Sequence, residues 1–140
     1  MILVIGGRSK IGSVLIESLV SGDQHVRVLV RQGERAGGLP PAVEAATGDL
    51  ADPGALAAAM AGIEKVFLLS SPHRDAVTWH RNAIDAARDA GVRLLVRSSI
   101  IGADKESPAE FVNAHTVCDR YLEQSGLDYV IVRPKNLTRT

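Results

Sequence analysis

Disulfides, membrane-length apolar runs and an excess of either charge are all missing from this chain. Its one cysteine, Cys118, excludes an internal disulfide framework and suits a reducing cytoplasm, the expected compartment. No apolar run approaches the ~20 residues of a membrane span. The N-terminus lacks the charged leader of a signal peptide and enters an apolar stretch at once. Lys plus Arg and Asp plus Glu both count 16, so the formal net charge is zero and the basic footprint of a nucleic-acid binder is absent. Internal repeats, low-complexity tracts and metal-ligating clusters are absent as well. What remains is a single domain over residues 1–140, with 46% hydrophobic residues to build a core.

The chain is organised around its first dozen residues. Ile2 to Ile5 run straight into Gly6-Gly7-Arg8-Ser9-Lys10-Ile11-Gly12, and an amphipathic pattern of Ile11, Val14, Leu15 and Leu19 follows. This is a buried strand, a tight turn and a helix, the opening unit of a dinucleotide-binding fold. Gly6 permits the sharp turn, the helix N-terminus offers amide donors to a pyrophosphate, and Gly12 lets helix and strand pack closely. Gly6, Arg8, Ser9, Lys10, Ile11 and Gly12 are therefore candidate cofactor-binding residues. Ser9 stands where a glycine would let the backbone approach phosphate. Its Cβ crowds that approach, or its hydroxyl donates to the phosphate instead.

Strand and helix patterns then alternate, which predicts an α/β doubly wound parallel sheet of about six strands. His25 to Val30 reads as strand two, Gln32 to Pro41 as a loop and Val43 to Thr47 as strand three. Gly22 marks the end of the first helix. Asp52-Pro53 is an N-cap with proline at the first helical position, and that helix runs to Gly62. Lys65 to Leu69 is strand four, apolar enough to be central. A helix from Asp75 to Ala90 precedes strand five, Val92 to Val96. Ser107-Pro108-Ala109-Glu110 is a capping box opening a helix that ends at Gly126. Tyr129 to Val132 is strand six, closed by Arg133-Pro134.

Several marks appear in family order. They are the glycine turn, Val30-Arg31 after strand two, Gly48-Asp49-Leu50 after strand three, Arg97-Ser98-Ser99 after strand five, and Ser125-Gly126-Leu127-Asp128-Tyr129 with Arg133-Pro134 around strand six. With these the chain resembles the nucleotide-binding half of an atypical short-chain dehydrogenase/reductase of the NmrA-like group. The resemblance implies a Rossmann fold and an NAD(P) cofactor. It also implies that a C-terminal substrate lobe, present in such proteins beyond strand six, is missing from these 140 residues. Asp49 is then placed beside the adenine, with Leu50, Leu69 and Ser70 at the same strand ends; as an ordinary loop aspartate, Asp49 caps the following turn. At the end of strand two, where an NAD-preferring protein carries an acid for the ribose hydroxyls, stands Arg31. Its fork suits the 2′-phosphate of NADP, with Arg8 and the weaker Arg35 as further cations. NADP is the expected cofactor and NAD the alternative.

The Tyr-x-x-x-Lys pair of typical short-chain reductases is absent. Phe111 falls at the tyrosine position and His115 at the lysine position, with Asp119 four residues on. A histidine followed by such an acid resembles members that reduce quinones or dyes, which need a delivered hydride more than a strong local acid. His115 and Ser99 are the candidate catalytic residues. The alternative for His115 is packing, because Phe111, His115, Cys118 and Leu122 share one helical stripe. For Ser99 the alternative is a hydroxyl bonded to its own turn. His73 reads as a surface loop residue, Cys118 as a buried inert thiol without a basic neighbour, and Trp79 as core or interface. The expected function is hydride transfer from NADPH to a quinone-type or other small acceptor. The rivals are a non-catalytic NADP sensor that binds a protein partner, and an inactive fragment. Strand six, apolar on both faces, is expected at an open edge and invites a homodimer.

Overall fold

The computed structural model describes residues 1–6, 10–31, 39–69, 74–98 and 110–133, with side chains of the last stretch described from Asn113 onward. Arg8, Ser9, Ser70, His73 and Ser99, and the capping-box residues before Glu110, lie outside them. Six strands and four helices appear in the order β1 (Ile2–Ile5), α1 (Lys10–Ser21), β2 (Val26–Val30), β3 (Glu44–Thr47), α2 (Pro53–Ala59), β4 (Lys65–Leu68), α3 (Ala76–Asp89), β5 (Leu94–Ser98), α4 (Glu110–Glu123) and β6 (Tyr129–Val132). All pairings are parallel and the strand order is β3-β2-β1-β4-β5-β6. This is the Rossmann arrangement, whose topological switch point lies between β1 and β4.

Alternation along the strands sends side chains to two separate layers. Ile2, Val4, Val26, Val28 and Val30 pack with Ile16 of α1 on one face. Leu3, Ile5, Val66, Leu68 and Leu95 pack on the other against Leu56 of α2 and its C-cap Met60, Ile84 of α3 and Leu122 of α4. Burial on both faces explains why β1 and β4 read as nearly unbroken apolar runs. The N-cap is as expected: Asp52 Oδ1 accepts from Gly54 N at 3.0 Å and Ala55 N at 3.3 Å. Beyond the other end of α2, Arg27 of β2 donates to the carbonyls of Ala59 and Ala61 at 2.7 and 2.8 Å. These bonds satisfy acceptors that the helix itself leaves open.

Most element boundaries shift by three residues or fewer from the sequence reading, and the start of strand five is the shift that matters, because it moves a charged residue into the sheet. Val92 belongs to the stop of α3. Its N–H reaches back to Ala87 O at 3.0 Å while Gly91, at φ +77°, donates to Arg88 O at 3.2 Å. That bond pattern closes a helix through an αL residue followed by a buried apolar one. β5 therefore starts at Leu94 and takes Arg97 into the sheet instead of leaving it in the loop. α1 ends at Ser21, directly before Gly22 as the sequence reads, and the residue that enters the left-handed region is Asp23 (φ +60°), with Gln24 N bonded to Leu19 O. At the far side of the sheet β6 is the outer strand among the described residues, with Tyr129, Val130 and Val132 between 40% and 46% exposed.

Candidate dinucleotide-binding site

The strand ends at the switch point come together closely. Leu69 N donates to Ile5 O at 3.0 Å, which draws the chain after β4 against the chain after β1. Gly6 sits there at φ +89°, and a Cβ on it would lie 2.8 Å from Leu69 O and 2.9 Å from Leu69 Cβ. Only glycine meets both the left-handed backbone and that approach. Two residues named separately from the sequence, Gly6 and Leu69, thus form one junction. Lys10 and Ile11 lie exposed in the first turn of α1, and Gly12 is buried one residue further on. A helix N-terminus beginning four residues after the glycine, at the switch point of such a sheet, suits an anionic pyrophosphate.

A second corner forms at the ends of β2 and β3. Gly48 N donates to Val30 O at 2.8 Å, placing the chain after β3 beside the exposed Arg31. Asp49 Oδ1 accepts from Ala51 N at 2.9 Å, so its carboxylate caps its own turn. Leu50 is held from above: Asn82 of α3 donates through Nδ2 to its carbonyl at 2.9 Å. The Arg31 guanidinium carbon lies 5.5 Å from the centroid of the Trp79 ring on α3. Sequence reading placed neither Trp79 nor Asn82 here, because nothing in a helical pattern tells which loop its flank meets.

Below the end of β5 lies a buried ionic cluster. Arg97, 1% exposed, donates through Nη1 to Asp119 Oδ1 at 2.5 Å, and Arg133 Nη2 reaches Asp119 Oδ2 at 3.3 Å. Arg97 Nη2 lies 3.1 Å from His115 Nδ1. A guanidinium has donors only, so Nδ1 accepts and the proton of the neutral ring resides on Nε2. Burial, then the Arg97 charge, hold the His115 pKa down to about 4, against the opposing pull of Asp119. Burial, Arg97 and His115 together hold His80 down to about 3. His115 is thus a neutral Nε2–H donor at ordinary pH.

His115, Cys118 and Leu122 are all buried, as a packed stripe requires. The expectation that Cys118 has no basic neighbour is corrected: Arg97 acts on the thiol and pulls its pKa down. Burial outweighs that pull, so the thiol is raised above its ordinary range and remains a poor nucleophile. The signal available in the sequence was Arg97 itself. It lies on the same buried face of β5 as Leu95, two residues on, and a cation on that face demands a buried acid, which Asp119 supplies.

Of the candidate residues, the described ones fall into these three groups: Gly6, Lys10, Ile11, Gly12 and Leu69; then Arg31, Asp49 and Leu50; then His115. The first two groups share the carboxyl edge of the sheet and fit a dinucleotide by charge, exposure and glycine placement. Among the described residues no three His, Cys, Asp or Glu side chains gather as metal ligands would, and no helix is long and apolar enough to cross a membrane.

A family model described as NAD(P)H-binding matches residues 6–140. The chain is 35% identical over 135 residues to an NAD(P)H azoreductase of Xenophilus azovorans, covering 96% of this chain and 47% of that protein. Its backbone superposes on the NADPH complex of an NADPH-dependent quinone oxidoreductase of Escherichia coli with a TM-score of 0.81, at 31% identity, over 95% of this chain and 48% of that one. A triphenylmethane reductase of Citrobacter sp. complexed with NADP(H) gives a TM-score of 0.85 at 28% identity, over 98% of this chain and 50% of that one. The chain spans about half the length of the curated relatives it matches.

Proposed function

Since the chain belongs to the NAD(P)H-binding family, we propose that it is the dinucleotide-binding part of an NADPH-dependent reductase acting on quinone-type or dye-like acceptors, of the NmrA-like group. The observation that carries this reading is the junction at the switch point, where Gly6 and Leu69 meet beside the N-terminus of α1. There the pyrophosphate rests on the turn of Gly6, Arg8, Ser9, Lys10, Ile11 and Gly12. The 2′-phosphate meets Arg31 and Arg8, and the adenine lies by Asp49 and Leu50. Leu69 and Ser70 would serve the nicotinamide end of the site, with Ser99 and His115 as the candidate catalytic residues.

Bound NADPH supplies a hydride; the protein's part is to hold acceptor and nicotinamide in register. A neutral His115 can act toward an acceptor only as an Nε2–H donor, and is unsuited to serve as a general base at neutral pH. Quinone reduction tolerates this, because the reduced oxygen takes its proton from water.

Incubation with NADPH and a panel of quinones and azo dyes, followed at the nicotinamide absorbance band, tests the reading. Turnover lost in a His115→Gln variant supports it. Failure to bind NADPH, or tighter binding of NADH, refutes it, and binding of NADPH without turnover on any acceptor favours a non-catalytic NADP sensor. The ties of His115 to Arg97, and phenylalanine at position 111, are what favour that second reading.

A further inference from the structure

Trp79 is the chain's only tryptophan and lies half-buried in the first turn of α3, far in sequence from any glycine or phosphate motif. The fold brings it to the corner where β2 and β3 end. Its ring centroid is 5.5 Å from Cζ of Arg31, within cation–π range. Asn82 is three residues on, on the same flank of the helix, and bonds the Leu50 carbonyl at 2.9 Å. Two independent contacts therefore seat one flank of α3 over the residues that follow β2 and β3. The arginine at the end of β2 is the position where a dinucleotide fold distinguishes a 2′-phosphate from a 2′-hydroxyl.

A long exposed arginine has many rotamers, and ordering them on phosphate binding costs affinity. A cation–π contact with an indole restricts those rotamers before any ligand arrives. It draws on the positive charge of the guanidinium and consumes none of its N–H donors, so it does not compete with a phosphate for them. From this geometry we propose that Trp79 is a specificity-determining residue of the cofactor site: its ring holds Arg31 in place for the 2′-phosphate and so sharpens the preference for NADP(H) over NAD(H). The proposal rests on the reading of Arg31 as the phosphate-binding residue.

The experiment compares 2′,5′-ADP with 5′-AMP by calorimetry, since the pair differs only in the phosphate at issue. Trp79→Leu is expected to weaken 2′,5′-ADP binding about two- to five-fold and leave 5′-AMP unchanged, with Trp79→Phe in between. In an Arg31→Ala background Trp79→Leu should add nothing, the mark of two residues acting as one unit. Without ligand, the fluorescence emission of Trp79 should change in Arg31→Ala. Equal weakening of both nucleotides in Trp79→Leu, no weakening of either, additive effects in the double variant, or unaltered emission would each overturn the proposal. Failure of the underlying reading looks different: Arg31→Ala itself would then leave the ratio of the two affinities untouched.

Discussion

Acid should unfold this protein earlier than its surface carboxylates require, because two histidines are held neutral in its interior. His80 and His115 are 3% and 4% exposed, and their pKa values are held down to about 3 and about 4. An unfolded histidine titrates near ~6.5. Below that pH the unfolded chain takes up two protons that the native protein refuses, so stability present above pH ~6.5 drains away as the pH falls toward the folded values. From pH 7 to pH 5 each group costs about 2 kcal/mol, hence about 4 kcal/mol together, a large share of the ~5–15 kcal/mol typical of a domain. Arg97 on β5 acts on both rings, His115 acts on His80, and Asp119 on α4 acts on His115. Of these, Asp119 opposes the downward shift of His115. Urea titrations at pH 7, 6 and 5 measure the effect as a falling midpoint. His80→Leu should flatten the pH dependence by about half, since it removes one of the two titrating rings and also an Nδ1 that has no hydrogen-bond partner among the described residues. A midpoint unchanged between pH 7 and 5, or a pH dependence equally steep in His80→Leu, refutes the reasoning.

Gly6→Ala adds a Cβ 2.8 Å from Leu69 O on a backbone at φ +89°, so it should cost at least about 2 kcal/mol in urea unfolding and weaken NADPH binding; a loss under ~0.5 kcal/mol contradicts the close approach. Asp119→Leu leaves Arg97 buried without its carboxylate and should cost about 3–5 kcal/mol, most of it recovered in the Arg97→Met/Asp119→Leu double variant. A double variant as unstable as the single one would show that packing, not charge, holds the cluster. Val130, 46% exposed on the outer strand β6, should support self-association, which Val130→Lys abolishes in sedimentation across a concentration series. A wild-type protein that is monomeric at every concentration defeats that expectation.

The strand-and-helix alternation, the buried character of β1 and β4, the Asp52 cap and the glycine at position 6 were all legible in the sequence. Each follows from local patterning or from the backbone freedom of one residue, and needs no knowledge of distant neighbours. The start of β5 was not legible, because an apolar residue after Gly91 reads as strand whether it enters the sheet or closes the preceding helix. Only the bond from Val92 back to Ala87 decides between them. The sequence named Gly6, Leu69, Arg31 and Leu50 as site residues from motif and position. That Gly6 and Leu69 touch, and that α3 leans Trp79 over Arg31 and Asn82 over Leu50, depends on parallel pairing between strands far apart in the chain. The identity of the acid facing Arg97, and with it the neutral Nε2–H form of His115, likewise emerges only when α4 lies across β5. Side-chain charge is written in the sequence, but the partner that makes a buried charge tolerable is chosen by the tertiary fold.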